Sequence, residues 1–203
     1  LPFKKDSRTN LKLSANQNIL LLMPASRPQE LRYILPTFLK TAKKLQLRYR
    51  SLIVYIPSCR RTFDEKFRKG LEKYEIKGKV ISQQDDSELM PYIYSLAKLA
   101  LCKSGTVNME LALYGIPQII GYKVSRVTAF IAKRILNFKV RFISPVNLLV
   151  KKFIIPEFVQ KNFNEKKIFY KACRLLDLTS EKAKIKKGYN ILKKELGEAG
   201  VVD

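Results

Sequence analysis

The sequence predicts an α/β domain: a parallel sheet with helices on both faces. Short apolar runs alternate regularly with segments of helical period along most of the chain. Its 203 residues suit one domain with a single sizeable core. Apolar residues make up 46%, and neither an internal repeat nor a low-complexity tract interrupts them.

Residues 1–17 are polar and irregular and read as a linker from an absent N-terminal half. Asn18 to Met23 then reads as a buried strand stopped by Pro24. Leu31, Leu35, Phe38, Ala42 and Leu45 fall on one face of a helix over Pro28 to Leu47. Leu52 to Ile56 is a second strand, closed by Pro57, and Thr62 to Tyr74 a second helix. Lys79 to Ser82 (strand), Ser87 to Leu96 (helix) and Leu99 to Cys102 (strand) continue the alternation. Thr106 to Tyr114 and Gln118 to Gly121 add a helix and a strand, and Val124 to Asn137 reads as a basic amphipathic helix. After Pro145 a loop is expected, then two helices over Glu165 to Leu178 and Ser180 to Leu196, which either pack back on the domain or reach a partner. The division expected is a sheet domain over 18–160 and a helical extension over 161–203.

Composition excludes several chemistries. There is no histidine, which removes histidine-based catalysis, and Cys59, Cys102 and Cys173 have no zinc or disulfide spacing. Three buried or inert thiols are expected. The apolar runs Ile19 to Pro24 and Ile116 to Ile120 are too short to cross a bilayer. Net charge is +23, from 40 Lys and Arg against 17 Asp and Glu, which suits nucleic acid, anionic lipid or phosphorylated ligands. No acidic residue lies between Glu110 and Glu157, a span that holds Lys123, Arg126, Lys133, Arg134, Lys139, Arg141, Lys151 and Lys152. A genome biased toward Lys, Ile and Asn accounts for the total better than for the acid-free gap.

In open α/β sheets ligands gather beyond the carboxyl ends of the strands, which directs attention to the turns. After the first strand comes Met23-Pro24-Ala25-Ser26-Arg27, where a hydroxyl and a guanidinium open a helix. The same residues also suit an ordinary N-cap with a solvated arginine. After the fourth strand comes Lys103-Ser104-Gly105-Thr106-Val107-Asn108-Met109-Glu110, with a glycine, hydroxyls at a helix start, and Glu110 one turn deeper on the face of Thr106. One reading is an oxyanion site with a carboxylate for sugar hydroxyls; the other is a cap with an exposed glutamate. It is not a Walker loop, since the spacing G-x-x-x-x-G-K is missing. Between the two turns, Ser82-Gln83-Gln84-Asp85-Asp86-Ser87 reads as a polar loop that borders a base or sugar, or as the opening of the next helix.

These segments, together with Gly115-Ile116-Pro117, Gly121-Tyr122-Lys123-Val124-Ser125, Ser144-Pro145-Val146-Asn147-Leu148-Leu149 and Ile155-Pro156-Glu157-Phe158-Val159-Gln160, resemble in their order the lipid-A-disaccharide synthase family. The resemblance implies the C-terminal, Rossmann-like half of a GT-B-type glycosyltransferase. It implies a hexosyltransferase of lipid A biosynthesis that takes a UDP-linked diacylglucosamine donor and a lipid monosaccharide acceptor and releases UDP, with no metal or cofactor. Carried over by position, Ser26, Arg27, Ser104, Gly105 and Thr106 would contact the donor diphosphate and Glu110 the ribose, with Asn147 near the donor; Gln83, in the polar loop after the third strand, is expected in the same vicinity. Ala25 stands where the family usually has glycine, which bears on the tightness of that turn. The family's acceptor half and its general base have no counterpart in these residues, so the chain by itself is read as an incomplete catalyst.

Both substrates are lipid-linked, so the resemblance also implies work at the cytoplasmic face of an anionic membrane, with Arg126, Lys133 and Arg134 as contact residues. Partners so implied are a second copy or a separately encoded N-terminal half; the lysine-rich composition suggests a plastid or another reduced genome. Two alternatives stay open. One is a protein that binds UDP-sugar without turnover, and the other a basic nucleic-acid-binding protein, which no recognised motif supports.

Overall fold

The computed structural model describes residues 17–25, 27–82, 89–125 and 141–197. Six parallel strands form one sheet in the order β3-β2-β1-β4-β5-β6. They are β1 (Asn18–Met23), β2 (Leu52–Ser58), β3 (Gly78–Ser82), β4 (Ala97–Lys103), β5 (Gln118–Tyr122) and β6 (Glu157–Val159). The helices are α1 (Pro28–Arg48), α2 (Arg61–Lys73), α3 (Met90–Leu96), α4 (Val107–Leu113), α5 (Pro145–Val150), α6 (Glu165–Asp177) and α7 (Thr179–Glu195). The expected fold class is the one observed, with helices on both faces of the sheet.

The sheet is built outward from its middle. Ile19 to Leu22 of β1 and Leu99 to Cys102 of β4 are fully buried, as near-continuous apolar runs in a doubly covered parallel sheet require. The chain runs from β1 to β2 and β3 on one side, then returns to lay β4, β5 and β6 on the other. Strand order therefore reverses between β1 and β4, the switch point at which a crevice opens. Met23 and Cys102 are register partners, so the turns that follow them start side by side.

The apolar stripe foreseen on α1 is buried: Leu31, Leu35, Phe38, Ala42 and Leu45 face the core. Pro36 sits on the exposed side of this helix, where the carbonyl it leaves unpaired can turn to water, and the helix runs through it. Pro57 likewise does not close β2. Pairing to β1 has ended by Tyr55, so the missing N–H costs no bond on that side, while Pro57 and Ser58 continue beside Ile81 and Ser82 of β3.

The loop expected after Pro145 is a short helix, α5, followed by the edge strand β6. Ser144 caps α5 by accepting the Asn147 N–H at 3.1 Å. β6 escapes a periodicity reading because it has three residues and begins with a carboxylate. The last two helices pack back on the domain, α6 against α1 and α7 against α4 and α5. Gly121 lets β5 approach α1 and the segment just before α6: a Cβ there would overlap the edge-to-face pair of Phe38 and Phe163, whose centroids are 5.4 Å apart. The helix expected over Val124 to Asn137 lies almost wholly outside the described residues, as does the start of the one expected at Ser87.

Candidate functional site

A cavity of about 490 Å³ opens at the switch point, within the usual range for small-ligand sites. β1 contributes Met23 and, just beyond, Ala25; the end of β2 contributes Pro57 and Cys59. The turn after β4 supplies Lys103, Ser104, Gly105, Thr106 and Val107, and α4 adds Glu110. The structure thus brings Ser104, Gly105, Thr106 and Glu110 to one wall. Ala25 has no positive φ, so the first turn does not need the glycine usual at that place.

The second turn is held from below by buried side chains. The Asn108 amide, fully buried, accepts the Gly105 N–H at 2.9 Å and donates to the Lys103 carbonyl at 3.1 Å. Gln118, equally buried on β5, donates to the Asn108 carbonyl at 2.9 Å and to the Tyr189 hydroxyl of α7 at 3.0 Å. Tyr189 in turn donates to the Ile116 carbonyl at 2.9 Å. Burial pushes the Tyr189 phenol and the Cys102 thiol well up, so both stay neutral. Ser104 donates its hydroxyl to the Ile143 carbonyl, tying the turn to the segment that leads into α5.

The first turn is built differently. Arg27, exposed, is the N-cap position of α1, and its backbone N–H reaches the Glu30 carboxylate at 3.3 Å. Glu30 also takes the Lys103 ammonium on both oxygens, at 2.8 and 3.0 Å. The guanidinium of Arg27 is not among the groups that line the cavity. Ser26, Gln83, Arg126, Lys133 and Arg134 lie outside the described residues.

Asn147 sits on the neighbouring segment, fully buried, with its amide committed to the protein itself. It donates to the Ile155 carbonyl and the Glu157 carboxylate at 2.8 and 2.7 Å, and accepts the Ile154 and Ile155 N–H groups. Glu157 also accepts from the backbone of Ile143 and Ser144, so the acid that ends the basic span closes a loop. Of the three thiols expected to be buried or inert, Cys102 and Cys173 are buried and Cys59 is exposed.

On the same wall, Glu110 is solvent-exposed on α4 and lies near the buried hydroxyl of Tyr94, whose pKa is raised by desolvation first and by the glutamate's charge second. Sequence reasoning gave no role to Lys103, Asn108, Gln118 or Tyr189. Lys103 carried a usable signal, a cation directly before a glycine turn at a strand end; the other three show a role only once their elements are packed. A Cβ added at Gly105 would meet nothing within 4 Å, so the turn folds without needing a glycine there. What the glycine does is leave the cavity wall bare.

Comparison with known proteins gives the same reading of the architecture and a family. The model of the family described as lipid-A-disaccharide synthetase matches residues 2–201. A lipid-A-disaccharide synthase of Prochlorococcus marinus is 45% identical over the whole chain, which covers 52% of that protein. One of Gloeothece citriformis is 33% identical, again over the whole chain and 51% of the relative. The chain thus spans about half the length of the curated relatives it matches. Among solved structures, WaaG, a glycosyltransferase involved in lipopolysaccharide biosynthesis, superposes with a TM-score of 0.57 at 15% identity, covering 91% of this chain and 45% of WaaG. At that identity the likeness speaks for the fold alone.

Proposed function

Because the chain belongs to the lipid-A-disaccharide synthetase family, we propose that it supplies the donor-binding half of a hexosyltransferase, holding a UDP-linked acylated glucosamine for transfer to a lipid monosaccharide. The observation that carries this is the cavity at the switch point, whose wall is the Ser104-Gly105-Thr106 turn with Glu110 one helical turn away. Bare backbone at Gly105 admits a diphosphate closely, and Thr106 lines the cavity beside it. Glu110, exposed at the wall, accepts the ribose hydroxyls. Arg27, exposed at the start of α1, swings its long guanidinium side chain over the departing UDP on binding and stabilises the charge that develops on it.

The acceptor and the group that takes its proton belong to a part of the enzyme beyond these residues, a reading supported by the half-length match to the relatives. The acid-free basic span supports work beside an anionic membrane. Among the described residues no helix is long and apolar enough to cross one.

Calorimetric titration of UDP into the chain and into Arg27→Ala and Glu110→Ala tests the proposal. Binding that each substitution weakens by about tenfold is the expected result. A folded chain that takes no UDP overturns it.

A further inference from the structure

The groups of the second turn differ in what they have left to give an anion. The Ser104 hydroxyl proton is committed to Ile143, and the Gly105 N–H to Asn108. Charge must then come from a side chain, and Lys103 is the one cation among the described residues that line the cavity. Its ammonium is not idle. Both oxygens of Glu30 hold it, at 2.8 and 3.0 Å, across the switch point between the two turns.

The same carboxylate accepts the backbone N–H of Arg27 at 3.3 Å. Glu30 therefore sits against an ammonium and a main-chain N–H from facing turns, a donor set that serves a phosphate oxygen equally well. Both side chains are mostly shielded, 17% exposed for Lys103 and 16% for Glu30, so the ammonium is held in one place at the cavity wall. A diphosphate arriving beside Glu30 brings like charge into a poorly hydrated space, which drives the carboxylate off and leaves the lysine to the ligand.

We infer that Lys103 is a diphosphate-binding residue of this chain and that Glu30 is the anion that holds its place until the ligand displaces it. The inference rests on the nucleotide-binding reading above and adds to it a residue and a competing partner. Glu30 is a positioning residue in this scheme: it sets the ammonium's location and lowers the affinity that the bare lysine would confer.

The test is calorimetric titration of UDP, and of uridine as the phosphate-free control, into the chain, Lys103→Met, Glu30→Gln and the double variant. Glu30→Gln keeps an amide oxygen for the Arg27 N–H and removes only the charge. Lys103→Met is expected to weaken UDP by about tenfold and to leave uridine unchanged. Glu30→Gln is expected to tighten UDP several-fold, and the double variant to behave like Lys103→Met. Equal UDP affinity in a folded Lys103→Met overturns the inference and leaves the nucleotide reading standing. So does a Glu30→Gln that weakens UDP, since the pair is then a brace and not a competitor. If Lys103→Met does not fold, the sign of the Glu30→Gln effect decides alone. A parent chain that takes neither ligand removes the nucleotide reading and this inference together.

Discussion

The two turns that meet at the cavity are built on opposite plans. After β4, the polar groups of the turn are answered from beneath by Asn108, Gln118 and Tyr189, residues drawn from α4, β5 and α7. After β1, the turn ends on an exposed Arg27 and a glutamate that bridges to the other side. One wall is fixed by the energy of folding, whereas the other is held by charge that a ligand can replace. Substitutions at the first wall should therefore register as lost stability, and those on the groups facing the cavity as lost affinity.

The largest effect expected from that contrast is at Asn108. Asn108→Ala strips partners from the Gly105 N–H and the Lys103 carbonyl, and should cost about 2–4 kcal/mol in urea unfolding. A loss under about 1 kcal/mol would mean that the turn keeps its shape without the amide. Gly105→Ala is the converse case. A Cβ there meets no atom of the protein, so stability should stay within about 0.5 kcal/mol, while UDP binding, read by calorimetry, should weaken by about tenfold because the methyl stands where the ligand approaches.

A smaller change is expected further back. Tyr189→Phe removes one hydroxyl that joins Gln118 to Ile116, and about 1 kcal/mol of stability should go with it. An unchanged urea midpoint would show that α7 is held by its apolar contacts alone. The smallest effect concerns pH. Glu181 is held below the usual carboxylate range by Lys171 at 2.6 Å and then by Arg174 at 2.9 Å, which tie the start of α7 to α6. A carboxyl with a depressed folded pKa stabilises fully above its unfolded value and loses that contribution as pH falls through the folded one. The parent chain should thus lose stability on acidification below the usual carboxylate range, and Glu181→Gln should flatten that limb of the profile. Identical profiles for the two would remove this clamp from the account.

Much of the architecture was legible from local pattern. β1 and β5 are legible to within a residue because uninterrupted apolar runs between turn residues have one sensible fate in a doubly covered sheet. α6 and α7 are legible for a related reason, their helical period; the Asn164 side chain that caps α6 shows its role only in the structure. β6 was not, since three residues opening on Glu157 carry no period, and their strand conformation is imposed by pairing with β5. Pro57 does not end β2, because a proline is a breaker only where its N–H would have been used, and use depends on where the neighbouring strand stops.

The sequence by itself determined the class of fold and singled out the turn from Lys103 to Glu110, whose residues Ser104, Gly105, Thr106 and Glu110 line the cavity. Strand and helix periods and turn residues act within about ten residues, whereas the binding roles expected of that turn come from the family resemblance, which runs over nearly the whole chain. Only the tertiary structure decided that Asn147 braces its own loop, that Lys103 meets Glu30 from 73 residues away, and that Tyr189 supports the turn after β4 through Gln118. Burial forces polar groups to find partners, but sheet register and helix packing choose which ones, and neither is written in any single segment.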